Sequence, residues 1–153
     1  MKNLIQTALT ALAITGLVVV ADAQTGKPVT IVDANTVSAA ELAKLPHVNA
    51  ELAKALVAKR PFKTIKDLDT ALSSLTKEQR TELYAKLFVP INLNTATDEE
   101  ILLIPGMGNR MLREFKEYRP YESLAKFHRE IGKYVNDTEL ARLEQYVMVP
   151  QTK

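Results

Sequence analysis

Residues 104–108, Ile-Pro-Gly-Met-Gly, combine the residue types that a backbone site for an anion needs. Pro105 cannot continue a helix, because it lacks an amide hydrogen and its ring clashes with the preceding turn. Gly106 and Gly108 have no Cβ, so both can take positive φ without a steric penalty and leave the backbone bare, while Met107 can point into a core. Successive amides that lead into a helix attract negative charge through their N–H groups and the helix dipole. The segment therefore predicts a tight turn that can hold a phosphate group.

Two arginines follow this turn at the start of the next helix. Asn109 begins the helix, and Arg110 and Arg113 lie in its first turns. The predicted phosphate-binding set joins the turn to these helix residues: Pro105, Gly106, Met107, Gly108, Asn109, Arg110 and Arg113. The alternative is that both arginines are solvated and pair with Glu114 or Glu117 at helical spacing.

The segment around the turn occurs twice, at an offset of 59 residues. Residues 33–36, Asp-Ala-Asn-Thr, match residues 92–95, Asn-Leu-Asn-Thr. Further matches are Glu41 with Glu100, Leu45 with Ile104, Pro46 with Pro105, Arg60 with Arg119, Pro61 with Pro120, and Phe62 with Tyr121. Near the end of the repeat the offset is 60, as the correspondence of Val89 with Val149 shows. A repeat of this length indicates one supersecondary unit per copy.

The two copies differ at the turn itself. Where the second copy has Pro-Gly-Met-Gly, the first has Pro46-His47-Val48-Asn49. Asn tolerates the left-handed conformation, so Asn49 can still make the turn. The His47 side chain would crowd an approaching phosphate. We therefore expect the first hairpin to keep its shape and the second to bind a ligand.

Capping residues place four short helices in each copy. Ser38 and Thr97 each precede a glutamate by three residues, which is the capping-box pattern of a helix start. The other helices are expected at 50–59, from Thr64 and after Thr76 in the first copy, and at 109–118, from Ser123 and after Asn136 in the second. Arg60 and Arg119 are expected to bind the carbonyl end of the second helix. No alternating apolar run is long enough for a strand.

Apolar residues recur at helical spacing and divide into two predicted cores. The first consists of Leu42, Leu45, Leu52, Leu56, Phe62, Leu68, Leu72, Leu75, Leu83 and Leu87. The second consists of Ile101, Ile104, Met107, Leu112, Phe115, Tyr121, Phe127, Ile131, Leu140, Leu143 and Val147. The sequence thus predicts an all-α fold with a leader at 24–32, unit 1 at 33–90 and unit 2 at 91–150. Units this small are marginally stable alone, so we expect one to pack on the other.

The first residues have the pattern of an export signal. Lys2 precedes an uncharged stretch at 3–21, and Ala-Asp-Ala at 21–23 forms a cleavage pattern. The alternative is a retained membrane anchor, since about 18 apolar residues can span a bilayer. We expect residues 1–23 to be a cleaved signal peptide. The mature chain is then exported to the periplasm or the exterior, either free or associated with a membrane.

The pattern apolar-Pro-Gly-apolar-Gly, with Asn-Thr-Ala-Thr ahead of it and Tyr-Arg after it, resembles the helix-hairpin-helix DNA-binding module. The version that it resembles is that of the ComEA-type competence DNA receptors. This resemblance implies an extracytoplasmic module that holds duplex DNA by its phosphate backbone without reading sequence. The chain is similar, more distantly, to the PsbU extrinsic subunit of photosystem II. That resemblance implies a structural, protein-binding subunit of an extracytoplasmic or membrane-associated complex with no nucleic-acid role.

Charge does not strongly favour DNA. Residues 33–90 hold nine Lys and Arg against seven Asp and Glu, and residues 91–153 hold nine against ten. Since phosphate neutralisation supplies much of the affinity of nucleic-acid domains, the balance weakens the DNA interpretation without excluding it.

The chain offers no set of residues for catalysis. No nucleophile with a base and an orienting group is evident, and there is no loop of the nucleotide-hydrolase kind. The chain has no cysteine, and His47 and His128 are isolated, so a metal site is not expected. We predict a non-enzymatic binding protein with no cofactor, metal or small-molecule substrate.

Overall fold

The computed structural model describes residues 30–150, so the predicted signal peptide and most of the leader lie outside the described residues. Unit 1 comprises β1 (Val32–Asp33), α1 (Ala39–Leu42), α2 (Ala50–Ala58), α3 (Ile65–Ala71), α4 (Lys77–Tyr84) and β2 (Leu87–Phe88). Unit 2 comprises β3 (Ile91–Asn92), α5 (Asp98–Leu102), α6 (Asn109–Glu117), α7 (Leu124–Ile131), α8 (Asp137–Glu144) and β4 (Val147–Met148). The all-α prediction is confirmed, and the described part of each copy has the same element order.

Polar side chains start the helices where the sequence predicts them. Ser38 and Thr97 form complete capping boxes at α1 and α5. The side chains of the other predicted starts also accept from an amide of the first turn: Thr64, Thr76, Ser123 and Asn136. Because each cap satisfies an amide that has no partner inside the helix, even helices of four or five residues have a defined beginning.

Each unit is closed by one short pair of strands, which the sequence did not predict. β1 pairs with β2 in parallel, with Val32 opposite Leu87, and β3 pairs with β4, with Ile91 opposite Val147. Two residues are too few to produce the alternation that identifies a strand in sequence. The pairs bring the first and last segments of each unit side by side.

An asparagine in each unit links the start of the unit to the segment that follows its second helix. Asn35 donates from Nδ2 to the Phe62 carbonyl at 3.0 Å, and its Oδ1 accepts from the Phe62 amide at 2.8 Å. Asn94 makes the same two hydrogen bonds with Tyr121, at 2.8 and 2.6 Å. A side-chain amide can donate and accept at once, so one residue fixes both backbone groups of its partner. We call this paired contact the asparagine bracket.

Arg60 and Arg119, which occupy equivalent positions in the two units, each bind the loop before the first helix of their unit. The expectation that they cap the second helix is therefore wrong. Arg60 donates from Nη2 to the Val37 carbonyl at 2.6 Å. Arg119 donates to the carbonyls of Leu93 and Ala96, at 2.6 and 2.8 Å. Each arginine therefore ties the end of its second helix to the loop before its first helix. The peptide bond from each arginine to the following proline is cis.

The buried side chains form one continuous core instead of the two predicted ones. Every member of the two predicted sets contributes. Most of them are buried. Five are half-buried at the edge of the core: Leu45, Leu52, Leu75, Met107 and Leu140. Buried residues that the sequence reasoning missed include Ile65, Tyr84, Phe88 and Tyr146. The merger explains how two units of marginal size reach a common stable core.

Three aromatic residues join the units. Phe88 of unit 1 lies edge-to-face on Tyr146 of unit 2, with ring centroids 4.8 Å apart, and on Tyr84 at 5.8 Å. The Tyr146 hydroxyl donates to the Tyr84 carbonyl at 3.2 Å. Burial raises the pKa of Tyr146 to about 12. This edge-to-face contact is favourable beyond its buried area, so the units are held in a fixed arrangement.

Among the described residues, none of the helices has the length and the apolar character needed to cross a membrane.

The asparagine bracket predicts a large effect of a small substitution. Asn94→Ala removes two hydrogen bonds and leaves both backbone groups of the buried Tyr121 unpaired. We expect it to lower the free energy of unfolding by about 2–3 kcal/mol, measured by urea denaturation followed by circular dichroism. Asn109→Ala is the matched control, because this asparagine is exposed at the start of α6. Its effect should stay within about 0.5 kcal/mol; equal effects from the two variants would contradict the bracket's role.

Candidate nucleic-acid interface

The second hairpin turns as predicted, but only one of its glycines has positive φ. Gly106 adopts φ 79°, in the left-handed region that favours glycine. Gly108 is extended, with φ −110° and ψ 169°, and is the residue from which α6 begins. Pro105 is buried, and Met107 packs against the core, as expected. Of the two glycines that can take positive φ, Gly106 alone does so, and the missing side chain of Gly108 matters for a different reason.

The amino end of α6 is open. Gly108 supplies no capping side chain, and within residues 30–150 nothing accepts from the amides of Asn109, Arg110 and Met111. A Cβ added to Gly108 would meet no atom within 4 Å, so the space in front of the helix is empty of protein. Three unpaired amides at the positive end of a nine-residue helix can donate to an anion.

The first hairpin follows the same path, but a side chain caps one of the three amides at its helix start, and we call this hairpin closed. His47, and not Asn49, takes the left-handed conformation in this turn, with φ 63°. Asn49 is extended, and its Oδ1 accepts from the Leu52 amide at 2.8 Å. That amide corresponds to the open Met111 amide of unit 2. A side-chain oxygen in unit 1 thus occupies the position that the oxygen of a bound phosphate would take in unit 2.

His47 has a further partner beside the closed hairpin. Its Nε2 lies 2.7 Å from Oε2 of Glu82 on α4. The imidazole is therefore fixed next to the turn that it makes. The Asn49 cap and the fixed His47 side chain together leave hairpin 1 with fewer backbone amides open to an anion than hairpin 2.

The two predicted arginines lie on the exposed surface of α6. Neither pairs with Glu114 or Glu117 within the described part of the chain, so the salt-bridged alternative is not observed. The Arg110 guanidinium lies over the Tyr134 ring, 5.9 Å from its centroid. Arg113 is exposed. Both charges are therefore available to an anion at the helix start.

The three acidic residues of α5, which contribute to the acidic excess of unit 2, are engaged by other groups. Asp98 forms an ion pair with Lys116 of α6 at 2.7 Å. Glu99 forms an ion pair with Lys66 of unit 1. Glu100 accepts from the Thr97 amide at 2.8 Å in the capping box. Partner charges thus reduce the repulsion that Asp98 and Glu99 would exert on a phosphate.

Unit 1 contributes to the surroundings of the open hairpin. A cleft of about 210 Å³ separates α4 from the hairpin loop, with residues 102–107 on one side and Lys77, Arg80 and Thr81 on the other. Arg80 is paired with Asp69 at 2.9 Å. Lys77 is exposed and forms no ion pair with the described residues. One uncompensated cation of unit 1 therefore lines the cleft beside hairpin 2.

Of the seven predicted site residues, six meet around the start of α6. Gly106, Gly108, Asn109, Arg110 and Arg113 are exposed, and Met107 is half-buried. Pro105 is buried, so its role is to shape the turn. Tyr121 is fully packed, as expected, whereas Tyr118 is half-buried beside Tyr134, a residue that the sequence reasoning missed.

Comparison with known proteins identifies the motif in unit 1. Residues 28–78, 51 of the 153 in the chain, match the model of the helix-hairpin-helix motif. No curated protein and no solved structure matches the chain. The match covers the unit with the closed hairpin, and unit 2 repeats the same order of elements with the open hairpin. Residues 28–78 thus carry a helix-hairpin-helix motif, a motif commonly found in nucleic-acid-binding proteins.

Proposed function

We propose that this chain is a non-enzymatic DNA-binding protein that holds duplex DNA by its phosphate backbone, through hairpin 2 alone. The observation that carries the proposal is the contrast between the two helix starts. Asn49 binds one of the three first amides of α2, whereas none of the three first amides of α6 has a partner among the described residues, and a side chain at Gly108 would meet no atom within 4 Å of its Cβ. In this proposal Pro105 and Met107 shape the turn, and the backbone of Gly106, Gly108 and Asn109 approaches the phosphate.

The chemistry of the site supports backbone binding without sequence reading. Amide hydrogens donate to phosphate oxygens whatever the base, and contacts to the backbone carry no direct sequence information. Arg110 and Arg113 add charge that attracts a phosphate and displaces its counterions. The slight acidic excess of unit 2 acts against binding, but Asp98 and Glu99 are paired with lysines and Lys77 of unit 1 lies beside the hairpin.

The proposal includes export and the ComEA-type relationship. The Ala-Asp-Ala pattern after an uncharged stretch supports a cleaved signal peptide, and the Pro-Gly-Met-Gly hairpin supports the receptor-like version of the module. DNA outside the cytoplasm would then be the partner, bound without catalysis, metal or cofactor.

One observation favours a second function, that of a structural protein-binding subunit. Two large apolar side chains are exposed at the clefts between the units, Leu102 with 42% and Met148 with 45% of the residue accessible. Together with the closed hairpin 1, this fits a protein partner better than a nucleic acid. Binding of duplex DNA by the unaltered, folded chain distinguishes the two functions.

We expect an exchange of the two helix starts to move the binding site. Gly108→Asn copies Asn49 into unit 2 and places a side-chain oxygen on the Met111 amide, so it should keep the fold and weaken duplex binding at least about tenfold, as expected when a charge-assisted hydrogen bond is lost. Asn49→Gly is the reciprocal control and should leave affinity within about twofold, because His47 still crowds hairpin 1.

Affinity is measured by fluorescence anisotropy with the mature chain and a labelled duplex, and thermal melts check the fold. Equal losses from the two variants would contradict the asymmetry of the hairpins. Absence of binding at low salt by the unaltered, folded chain would favour the structural-subunit function.

The salt dependence of binding tests the two arginines. Arg110→Ala or Arg113→Ala should each reduce the slope of log affinity against log salt by about 0.9, the value for one phosphate contact. Lys54→Ala is the matched control, because Lys54 occupies in unit 1 the position that Arg113 has in unit 2. An unchanged slope in both arginine variants would place the DNA on another surface.

Export is tested on the native protein. We expect amino-terminal sequencing of the protein from the cell envelope or medium to begin near Gln24, because signal peptidases cleave after small residues in an A-x-A pattern. A chain that still starts at Met1 and stays with the membrane fraction would indicate a retained anchor.

A further inference from the structure

A group of five polar and aromatic residues covers one face of unit 2 next to the open hairpin. Arg110, Glu114 and Tyr118 follow each other on α6 at intervals of four residues, so they share a face. Lys133 and Tyr134 reach the same face from the loop after α7. The Arg110 guanidinium lies 5.9 Å from the Tyr134 ring centroid, and Lys133 Nζ lies 5.2 Å from that of Tyr118.

A hydrogen bond holds the Tyr134 ring in place. Its hydroxyl lies 2.8 Å from the hydroxyl of Tyr118, and either of the two can donate. Hydrogen bonding, to Tyr118 above all, raises the pKa of Tyr134. The ring under Arg110 is therefore held at its far end by Tyr118, the residue that follows α6.

None of these five residues has a counterpart in unit 1. The positions that correspond to Arg110, Glu114 and Tyr118 are Glu51, Ala55 and Lys59, and those that correspond to Lys133 and Tyr134 are Ser73 and Ser74. These replacements follow from the offset of 59 before the extra residue of α7 and 60 after it. The group thus accompanies the open hairpin and is missing beside the closed one.

Core packing explains Tyr118 but not the residues around it. Tyr134 is not among the side chains that pack against the common core, and Arg110 and Lys133 are exposed. An aromatic face under a guanidinium attracts its charge and limits the conformations of a long side chain. A held guanidinium loses less freedom when it binds a phosphate, so it contributes more to affinity than a free one.

We propose that Tyr134 is a positioning residue that holds the Arg110 guanidinium next to the open amides of α6, so that both engage the phosphate backbone. The inference rests on the proposed function and makes it more specific. Tyr134 acts through Arg110 and does not itself touch DNA. Its loss should therefore weaken binding only when Arg110 is present.

The test is a double-mutant cycle on the mature chain, with a labelled duplex and anisotropy at low salt. Tyr134→Ser copies Ser74 of unit 1 and should weaken binding about two- to fivefold, the range for an exposed cation–π contact. In an Arg110→Ala background the same change should have no effect. Tyr134→Phe keeps the ring face and should stay within about twofold of the unaltered chain.

A measurement without DNA checks the contact directly. In NMR spectra, the Nε–Hε resonance of Arg110 should shift in Tyr134→Ser, through loss of the ring current, and remain close to its place in Tyr134→Phe. Ser74→Ala is the control and should change neither this resonance nor affinity.

The outcomes separate the two proposals. Binding that Tyr134→Ser leaves unchanged would overturn the inference alone. An equal loss with and without Arg110 would also overturn it, since Tyr134 would then contact DNA itself. Absence of binding by the unaltered chain would overturn the inference together with the proposed function.

Discussion

The asparagine bracket is the interaction on which the rest of each unit depends. The helices of this chain are short, and helices of four to nine residues gain little from their own hydrogen bonds. Something else must fix the start of the unit relative to the end of its second helix. Asn35 and Asn94 do so by satisfying both backbone groups of the residue after the proline, and Arg60 and Arg119 add bonds to the same loop. The turn at the hairpin lies within the segment that these contacts close.

This arrangement separates fold from ligand binding. Shared Asn and Arg residues make the bracket and the loop contacts, whereas the start of the second helix and the outer face of α6 carry residues that the other copy lacks. Hairpin 1 can therefore close its helix end with Asn49 and keep its backbone path. Hairpin 2 keeps the end open at Gly108 at a small cost in helix capping, because Gly is only slightly poorer than Asn at this position. Under the proposed function, the missing side-chain cap at the start of α6 leaves its amides open to a phosphate group.

The sequence predicted the repeat, the helix starts and the buried positions because each has a local or periodic signal. Ser38 and Thr97 carry their capping partner three residues away, and the apolar positions recur with the period of a helix. Contacts between distant segments have no such signal. The partner of Arg119 is a pair of carbonyls more than twenty residues earlier, and the contact of Phe88 with Tyr146 depends on how the units pack.

The candidate site was predicted in part for the same reason. The glycine turn and its arginines are contiguous, so their proximity could be read directly. The sequence left open which residue of the turn takes positive φ. It is the second one, position 47 or 106, because the helix begins from the fourth. Tyr134 is far along the chain from Arg110. The usable signal was a difference between the copies, Ser74 against Tyr134, which becomes informative only when both positions are placed on one face.

The parallel pairing of β1 with β2, and of β3 with β4, has a consequence for how such chains grow. In each unit the chain enters and leaves through two adjacent strands that run in the same direction. The second unit, joined to the first at Val89-Pro90, therefore continues the chain in the same direction, and its core merges with that of the first. One copy is then free to specialise while its neighbour is retained as a foundation.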